Sequence, residues 1–335
     1  MAAKFLTRKN RPIFLGFLLL NIYYEKNAHC DSFTNHLLYT EQPTKVVPWF
    51  TGPLLAPSAN TIPPKHVNVE PYIYFTAFTA SYNDQWKKVS HPNLYSFLSQ
   101  TFIQVGINSF MNFQIVPQLL YQFTEGVRST QAGDLPLSVD FQLAHDLPNQ
   151  WHPSVKFTLK TSCPFGKYQN LDPDKLGTDG VGTGSWNPGV GLDFSKLISL
   201  PSNRFLALRL ALSCTFFNSV AVKGLNVYGG ALDTKGTAYP GASFSCDVAM
   251  EYTLSQNWTL AADLFYSHTN KIKFSGNPGT LATVGKPSSE QISLAPAIEY
   301  NWNINVGIIT GVWFTVAGRN SSCFTASVTA LNIYF

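Results

Sequence analysis

Phe205-Leu206-Ala207-Leu208-Arg209-Leu210-Ala211-Leu212-Ser213-Cys214-Thr215-Phe216 alternates without a break. Successive side chains of a strand point to opposite faces. Leu206, Leu208, Leu210, Leu212, Cys214 and Phe216 therefore share one face, and Ala207, Arg209, Ala211, Ser213 and Thr215 the other. Globular strands usually run about 5 or 6 residues, whereas a tilted strand crossing a bilayer needs about 9 to 11. This stretch has the second length.

The same pattern recurs outward from it. At 242–254, Phe244, Cys246, Val248, Met250 and Tyr252 oppose Ser243, Ser245, Asp247 and Glu251. At 154–161, Val155, Phe157 and Leu159 oppose Lys156, Thr158 and Lys160; at 113–124, Phe113, Ile115, Leu119, Tyr121 and Phe123 oppose Gln114, Gln118, Gln122 and Thr124. The pattern predicts strands near 68–82, 96–108, 112–123, 137–145, 154–162, 187–196, 204–217, 242–254, 257–268, 289–301, 303–317 and 322–335. Short connections (109–111, 146–153, 197–203, 255–256, 302) alternate with longer ones (83–95, 124–136, 163–186, 218–241, 269–288), and 318–321 alone breaks the rhythm. Short periplasmic turns and long external loops mark outer-membrane barrels. The expectation is an all-β, transmembrane, antiparallel up-and-down β-barrel over 67–335, of about 12 strands with 10 or 14 as alternatives. Closure leaves no strand edge and satisfies the backbone in lipid.

Composition agrees. Of the 335 residues 13% are charged and 14% aromatic, with overall hydrophobicity at an ordinary 45%. A soluble chain carries about 25% charged residues. Beyond the first 25 residues there is no apolar run of the ~20 that a membrane helix needs. Lys4, Arg8, Lys9, Arg11 and Lys26, opposed by Glu25, account for the net charge of +4; the remaining 18 bases and 18 acids cancel, which gives nucleic acid no basic face. Residues 1–30 have the layout of a signal peptide: a basic start, an apolar stretch from Pro12 to Tyr24, and Ala28-His29-Cys30 before Asp31. Asn27 and His29 sit where lipidation of Cys30 would want Leu and a small residue. The expected location is the outer membrane, reached by export.

Residues 31–66 form a Pro-rich segment without alternation, and Trp49, Phe50, Leu54 and Leu55 make it too apolar for a solvated linker. It is a plug in the lumen, a segment packed under the periplasmic mouth, or a disordered leader. Aromatics gather at the strand ends, Trp151, Trp258, Tyr300, Trp302, Tyr334 and Phe335 at the inner end and Tyr121, Phe123, Phe216, Tyr266 and Phe314 at the outer, as interface girdles do. Phe335 closing an amphipathic last strand looks like a signal to the barrel assembly machinery.

Candidate chemistry is sparse. Cys163, Cys214, Cys246 and Cys323 show no metal spacing, and no metal or other cofactor is expected. Cys214 and Cys246 would bond only if the register set them opposite. Gly180-Val181-Gly182-Thr183-Gly184 lacks the helix that a phosphate loop opens. Asp172, Asp174 and Asp179 around it are solvated charges or, less readily, cation ligands. Ser267 and His268 point to opposite faces, so no nucleophile–base pair forms and no enzyme is expected. The inward face instead carries Gln100, Gln104, Gln114, Gln118, Gln122, Lys156, Lys160, Arg209, Asp247, Glu251, Asp263 and Glu299. These either set a transverse field that selects a polar solute or pair with each other and with the plug.

Val105-Gly106-Ile107-Asn108 through Phe113, Tyr252 through Leu260, Pro164-Phe165-Gly166-Lys167-Tyr168 and Gly182 through Gly189 resemble the outer-membrane barrels of the meta-pathway phenol-degradation family, over about residues 66–335. The resemblance implies passive uptake of small, hydrophobic or aromatic solutes across the outer membrane; the expected partners are outer-membrane lipid, lipopolysaccharide and the solute, with the channel a monomer. A structural or surface-interaction barrel is the alternative. The family's Asp in the turns is replaced here by Asn108 and Gln256, and no functional residue transfers.

Overall fold

The computed structural model describes residues 48–147 and 150–335. The expected signal peptide, and the segment before Pro48, lie outside the described residues. Seventeen strands appear: β1 Val67–Tyr82, β2 Lys88–Asn108, β3 Met111–Ile115, β4 Gln118–Thr124, β5 Val127–Ala132, β6 Leu135–Ala144, β7 Ser154–Cys163, β8 Gly189–Leu200, β9 Arg204–Thr215, β10 Val220–Lys223, β11 Lys235–Tyr239, β12 Ser243–Thr253, β13 Trp258–Thr269, β14 Lys273–Asn277, β15 Ser289–Asn301, β16 Val306–Arg319 and β17 Ser322–Tyr334.

Fourteen of these form one sheet that closes on itself, since β1 pairs with β17 on one side and β2 on the other. Two walls of the barrel are broken in the middle. β3 and β4 are one wall interrupted at Val116-Pro117, and β5 and β6 the next, interrupted at Gly133-Asp134. Counted as walls, the barrel has 12 antiparallel strands. Proline has no N–H to give a ladder, which accounts for the first break. The Pro117 carbonyl still accepts from Thr101 N (3.0 Å), and Pro136 O from Val116 N (3.0 Å).

Burial runs opposite to that of a soluble barrel. On β12, Val248 and Met250 face outward at 51% and 48% exposed, while Asp247 and Glu251 face inward at 4% and 0%. An apolar outer wall and a polar lining are what lipid outside and a polar lumen inside require. The aromatics fall as expected, Trp258 and Tyr300 meeting edge to face at 4.8 Å at the inner end and Tyr95 and Phe123 stacking at 4.8 Å at the outer. Phe335 exchanges backbone hydrogen bonds with Val67 (2.9 and 3.2 Å), fastening the last strand to the first.

The loop rhythm needs correction. β2 begins at Lys88, so the expected loop 83–95 shrinks to 83–87; β5 lies inside the expected loop 124–136, joined to β4 by a two-residue turn at 125–126. Long external connections lie only on the other half, where β10, β11 and β14 form a separate antiparallel sheet. Val220, Val222, Tyr228 and Ala238 make its core, joined by Tyr168 and Phe274. Within the connection from β7 to β8, the Lys167 ammonium lies 2.5 Å from Asp179. Burial opposes ionisation of Asp179, but Lys167 and the Asp172 amide overcome it and hold the carboxyl below its usual range. Asp172 in turn accepts from Asp174 N (3.0 Å), so two of the three acids are engaged by protein donors rather than free for a cation. Tyr228, whose hydroxyl donates to Thr183 O, has its pKa pushed up by burial and by the Asp134 carboxylate.

The register sets Cys214 opposite Phe244 and Cys246 opposite Leu212, so these two thiols are offset and all four described cysteines are free. Peptide mapping of unreduced protein after denaturing alkylation is expected to find Cys163, Cys214, Cys246 and Cys323 all modified. A Cys214–Cys246 disulfide peptide would contradict the register.

Candidate functional site

The lumen is built from inward positions of the strands, and a length of chain ahead of β1 runs through its inner half. Asn301 at the inner end of β15 donates to Trp49 O (3.3 Å), and its Oδ1 accepts from Thr51 Oγ1 (2.9 Å). Thr51 N donates to Glu299 Oε2 (2.8 Å). Three successive amides then converge on one carboxylate: Leu54 N on Asp263 Oδ2 (3.1 Å), and Leu55 N and Ala56 N on Oδ1 (3.3 and 3.0 Å). Both Asp263 oxygens thus face donors, which is the environment of an ionised carboxylate. Arg209 donates to Ala56 O (3.4 Å). The chain next crosses to β6 and β7, where Gln142 takes Thr61 N (2.7 Å) and gives to Ala59 O (2.9 Å), and Ser154 donates to Asn60 Oδ1 (2.7 Å). It leaves past Gly106, where an added Cβ would lie 1.9 Å from Pro63 O, so only glycine admits it.

Side chains fill the rest. Leu54 is 2% exposed and packs among Tyr72, Tyr74, Ile309, Val328 and Phe324, with Leu55 at the edge of the same cluster. Burying a leucine stabilises by about 2 kcal/mol, on top of the amide–carboxylate bonds. Trp49 and Phe50 are half-buried at the entry. Gly52 sits at φ +110°, a conformation other residues avoid, where the chain bends under Arg209.

The charged lining pairs locally instead of setting up opposed rings. Lys156 lies between Asp193 (3.4 Å) and Asp140 (3.9 Å), and Arg209 meets Glu251 at 2.7 Å. Lys160 donates to Ser213 Oγ (2.5 Å). Across the described strands Glu70, Asp140, Asp193, Asp247, Glu251, Asp263 and Glu299 face inward against three bases, Lys156, Lys160 and Arg209. Asp247 has no hydrogen-bond partner on either oxygen. The glutamines form a separate strip: Gln104 donates to Gln114 (2.7 Å), Gln100 to the Tyr74 hydroxyl (3.1 Å) and Gln118 to Asp134 O, with Gln122 further up β4 opposite Ser96.

The residues that sequence analysis overlooked are Glu70, Asn112, Gln142, Ser154 and Asn301. Four of them sit at strand ends beside turns, where alternation is shortest. Glu70 precedes Pro71 on β1 and is met by Asn68 Nδ2 (2.7 Å). Asn112 takes Ile62 N (3.4 Å) and donates to Asp140 (2.9 Å).

At the outer end, Ser267 helps line a cleft of about 500 Å³ with Tyr82, Lys286 and Gln291. His268 faces the other way, 3.4 Å from Glu290, which also binds Arg319 (2.9 Å). Ser267 and His268 are thus on opposite faces. Thr183, in the glycine-rich stretch, donates through N and Oγ1 to Asp134 (2.8 Å each), and Gly166 N adds a third bond (2.9 Å), so that stretch is tied to the break between β5 and β6. Among the described residues no group of three His, Cys, Asp or Glu side chains could hold a metal ion.

A closed antiparallel barrel of 12 strands, apolar outside and polar inside, defines the class of fold: an up-and-down β-barrel of the outer-membrane type. The fold is similar to the COG4313 outer membrane channel from Pseudomonas putida F1, with a TM-score of 0.64 at 13% identity over 83% of this chain and 98% of that one. The KdgM and NanC porins align less well, at TM-scores of 0.36 and 0.40 with 10% and 8% identity over 79% of this chain and 99% and 98% of theirs. No family model and no curated protein matches the sequence.

Proposed function

We propose that the chain is an outer-membrane channel for passive uptake of small, hydrophobic or aromatic solutes, and that residues 49–62 are its plug. What carries this proposal is the fit of that segment: a Pro-rich stretch held by Glu299, Asp263 and Gln142 through its backbone, inside a barrel whose fold is similar to that of an outer-membrane channel. Such contacts can be broken and remade without unfolding the wall. Solute preference is supported by the apolar arc around Leu54, from Tyr72 to Val328. It is also supported by the broken walls at Pro117 and Gly133, beyond which no described strand pairs with the far edge of β5. The exported chain would use Phe335 for assembly and act as a monomer among lipid and lipopolysaccharide, with no cofactor and no covalent chemistry.

A surface-interaction role is favoured by one feature, the external sheet, whose loops expose Leu232 and Leu281. Whole-cell uptake of a dilute radiolabelled aromatic solute separates the two. Cells carrying the protein are expected to take it up several-fold faster than cells lacking it. Equal rates, with the barrel present in the outer membrane, would leave the surface role.

A further inference from the structure

We propose that the groove now filled by Leu54, Leu55 and Ala56 is a subsite for an organic cation, an aliphatic or aromatic body bearing an N–H-donating positive head. This rests on the plug being displaceable.

The present occupant defines the chemistry. Leu54 places an apolar side chain against Tyr72, Tyr74 and Ile309, and its amide with the next two converges on Asp263 at 3.0 to 3.3 Å. The site therefore holds an apolar group joined to a cluster of N–H donors. A primary ammonium carries three such donors and a full charge, so it meets the same carboxylate more strongly. The apolar body takes the place of the leucine, and the aromatic rings nearby attract a cation over their faces.

Asp247 provides the independent observation. It lies on β12 facing Phe265, two residues along from Asp263 on β13, and is 4% exposed with neither oxygen hydrogen-bonded. Buried polar groups are seldom left unmet. The neutral backbone of the segment reaches Asp263 and leaves Asp247 without a donor; a cationic head satisfies both. Of the nearby bases, Lys156 is held by Asp140 and Asp193, and Arg209, which reaches Ala56 O at 3.4 Å, is ion-paired with Glu251 at 2.7 Å. A carboxylate-bearing solute would meet Asp247 and Asp263 here, with the already paired Arg209 as the base beside them.

The test uses the full chain and phenethylammonium chloride. In a planar bilayer with a tenfold gradient of that salt, the reversal potential should report an amine-to-chloride permeability ratio of about 10 or more, cut at least about threefold by Asp247→Asn. A ratio at or below one, or one that Asp247→Asn leaves unchanged, overturns the subsite. A folded chain that never conducts is a failure of the channel proposal, and hydrogen exchange then decides separately. Amides of Leu54, Leu55 and Ala56 should exchange about tenfold faster in millimolar phenethylammonium and not in phenylacetate. Equal exchange in the two overturns the proposal even where Asp247→Asn does not fold.

Discussion

Asp263→Ala is expected to release the luminal segment while leaving the barrel closed. Three amides, those of Leu54, Leu55 and Ala56, lose their acceptor in one substitution. A hydrogen bond to a charged group is worth about 1.5–3 kcal/mol net, and each buried donor left unmet costs a further ~1–3 kcal/mol. Heavily discounted for water entering the lumen, the loss is still on the order of 3 kcal/mol. The strand itself loses little, because Asp263 makes its ladder bonds through the backbone, opposite Ala249 on β12 and Ala295 on β15. The expected result is a protein that keeps its heat-shifted mobility on gels while amide protection over residues 51–56 falls by about 100-fold, the equivalent of ~2.7 kcal/mol. Protection retained in the variant would mean that Leu54 packing alone holds the segment.

Lys156→Met should have the larger effect on the barrel itself. Lys156 is 4% exposed and stands between Asp140 and Asp193, which come from the strands on either side of β7. Methionine keeps the volume and removes the ammonium that stands between the two acids, leaving two carboxylates buried together. Breaking a buried ion pair by deleting one partner typically costs about 3–5 kcal/mol. Urea unfolding in lipid vesicles, followed by tryptophan fluorescence, should shift to lower midpoint by that equivalent. Adding Asp193→Asn to Lys156→Met should recover part of the loss, since one of the stranded charges is gone. An unchanged midpoint for Lys156→Met would show that water reaches these groups freely.

The wall was legible because alternation reports directly on a strand with lipid on one side. Parity alone turns Arg209, Asp247, Glu251 and Asp263 to the polar face, and each is buried or half-buried in the structure. Legibility fails where that asymmetry fails. Lys88 through Asn93 extends β2 beyond the membrane with every residue exposed, so no face is apolar and no alternation marks it. Arg128, Ser129, Thr130 and Gln131 of β5 are polar on both faces for the same reason. Pairing was also hidden: that Lys156 meets Asp140 and Asp193 depends on register, which a one-residue slip would undo. The fit of residues 51–56 was least readable of all. It is made by backbone N–H groups, which every residue but proline carries, so side-chain identity holds no record of it. Trp49, Leu54 and Leu55 marked the segment as apolar and worth burying, but Asp263 as its anchor comes only from the three-dimensional arrangement.

Single-channel recording bears most directly on the plugged-channel proposal. The chain from residue 31 and a form lacking residues 31–62 are reconstituted separately in planar bilayers, with folding checked by heat-shifted mobility. The expected result is brief or rare openings for the longer form and steady, larger conductance for the shorter one. Equal steady conductance in both would contradict a plug, and silence in both folded proteins would contradict a channel.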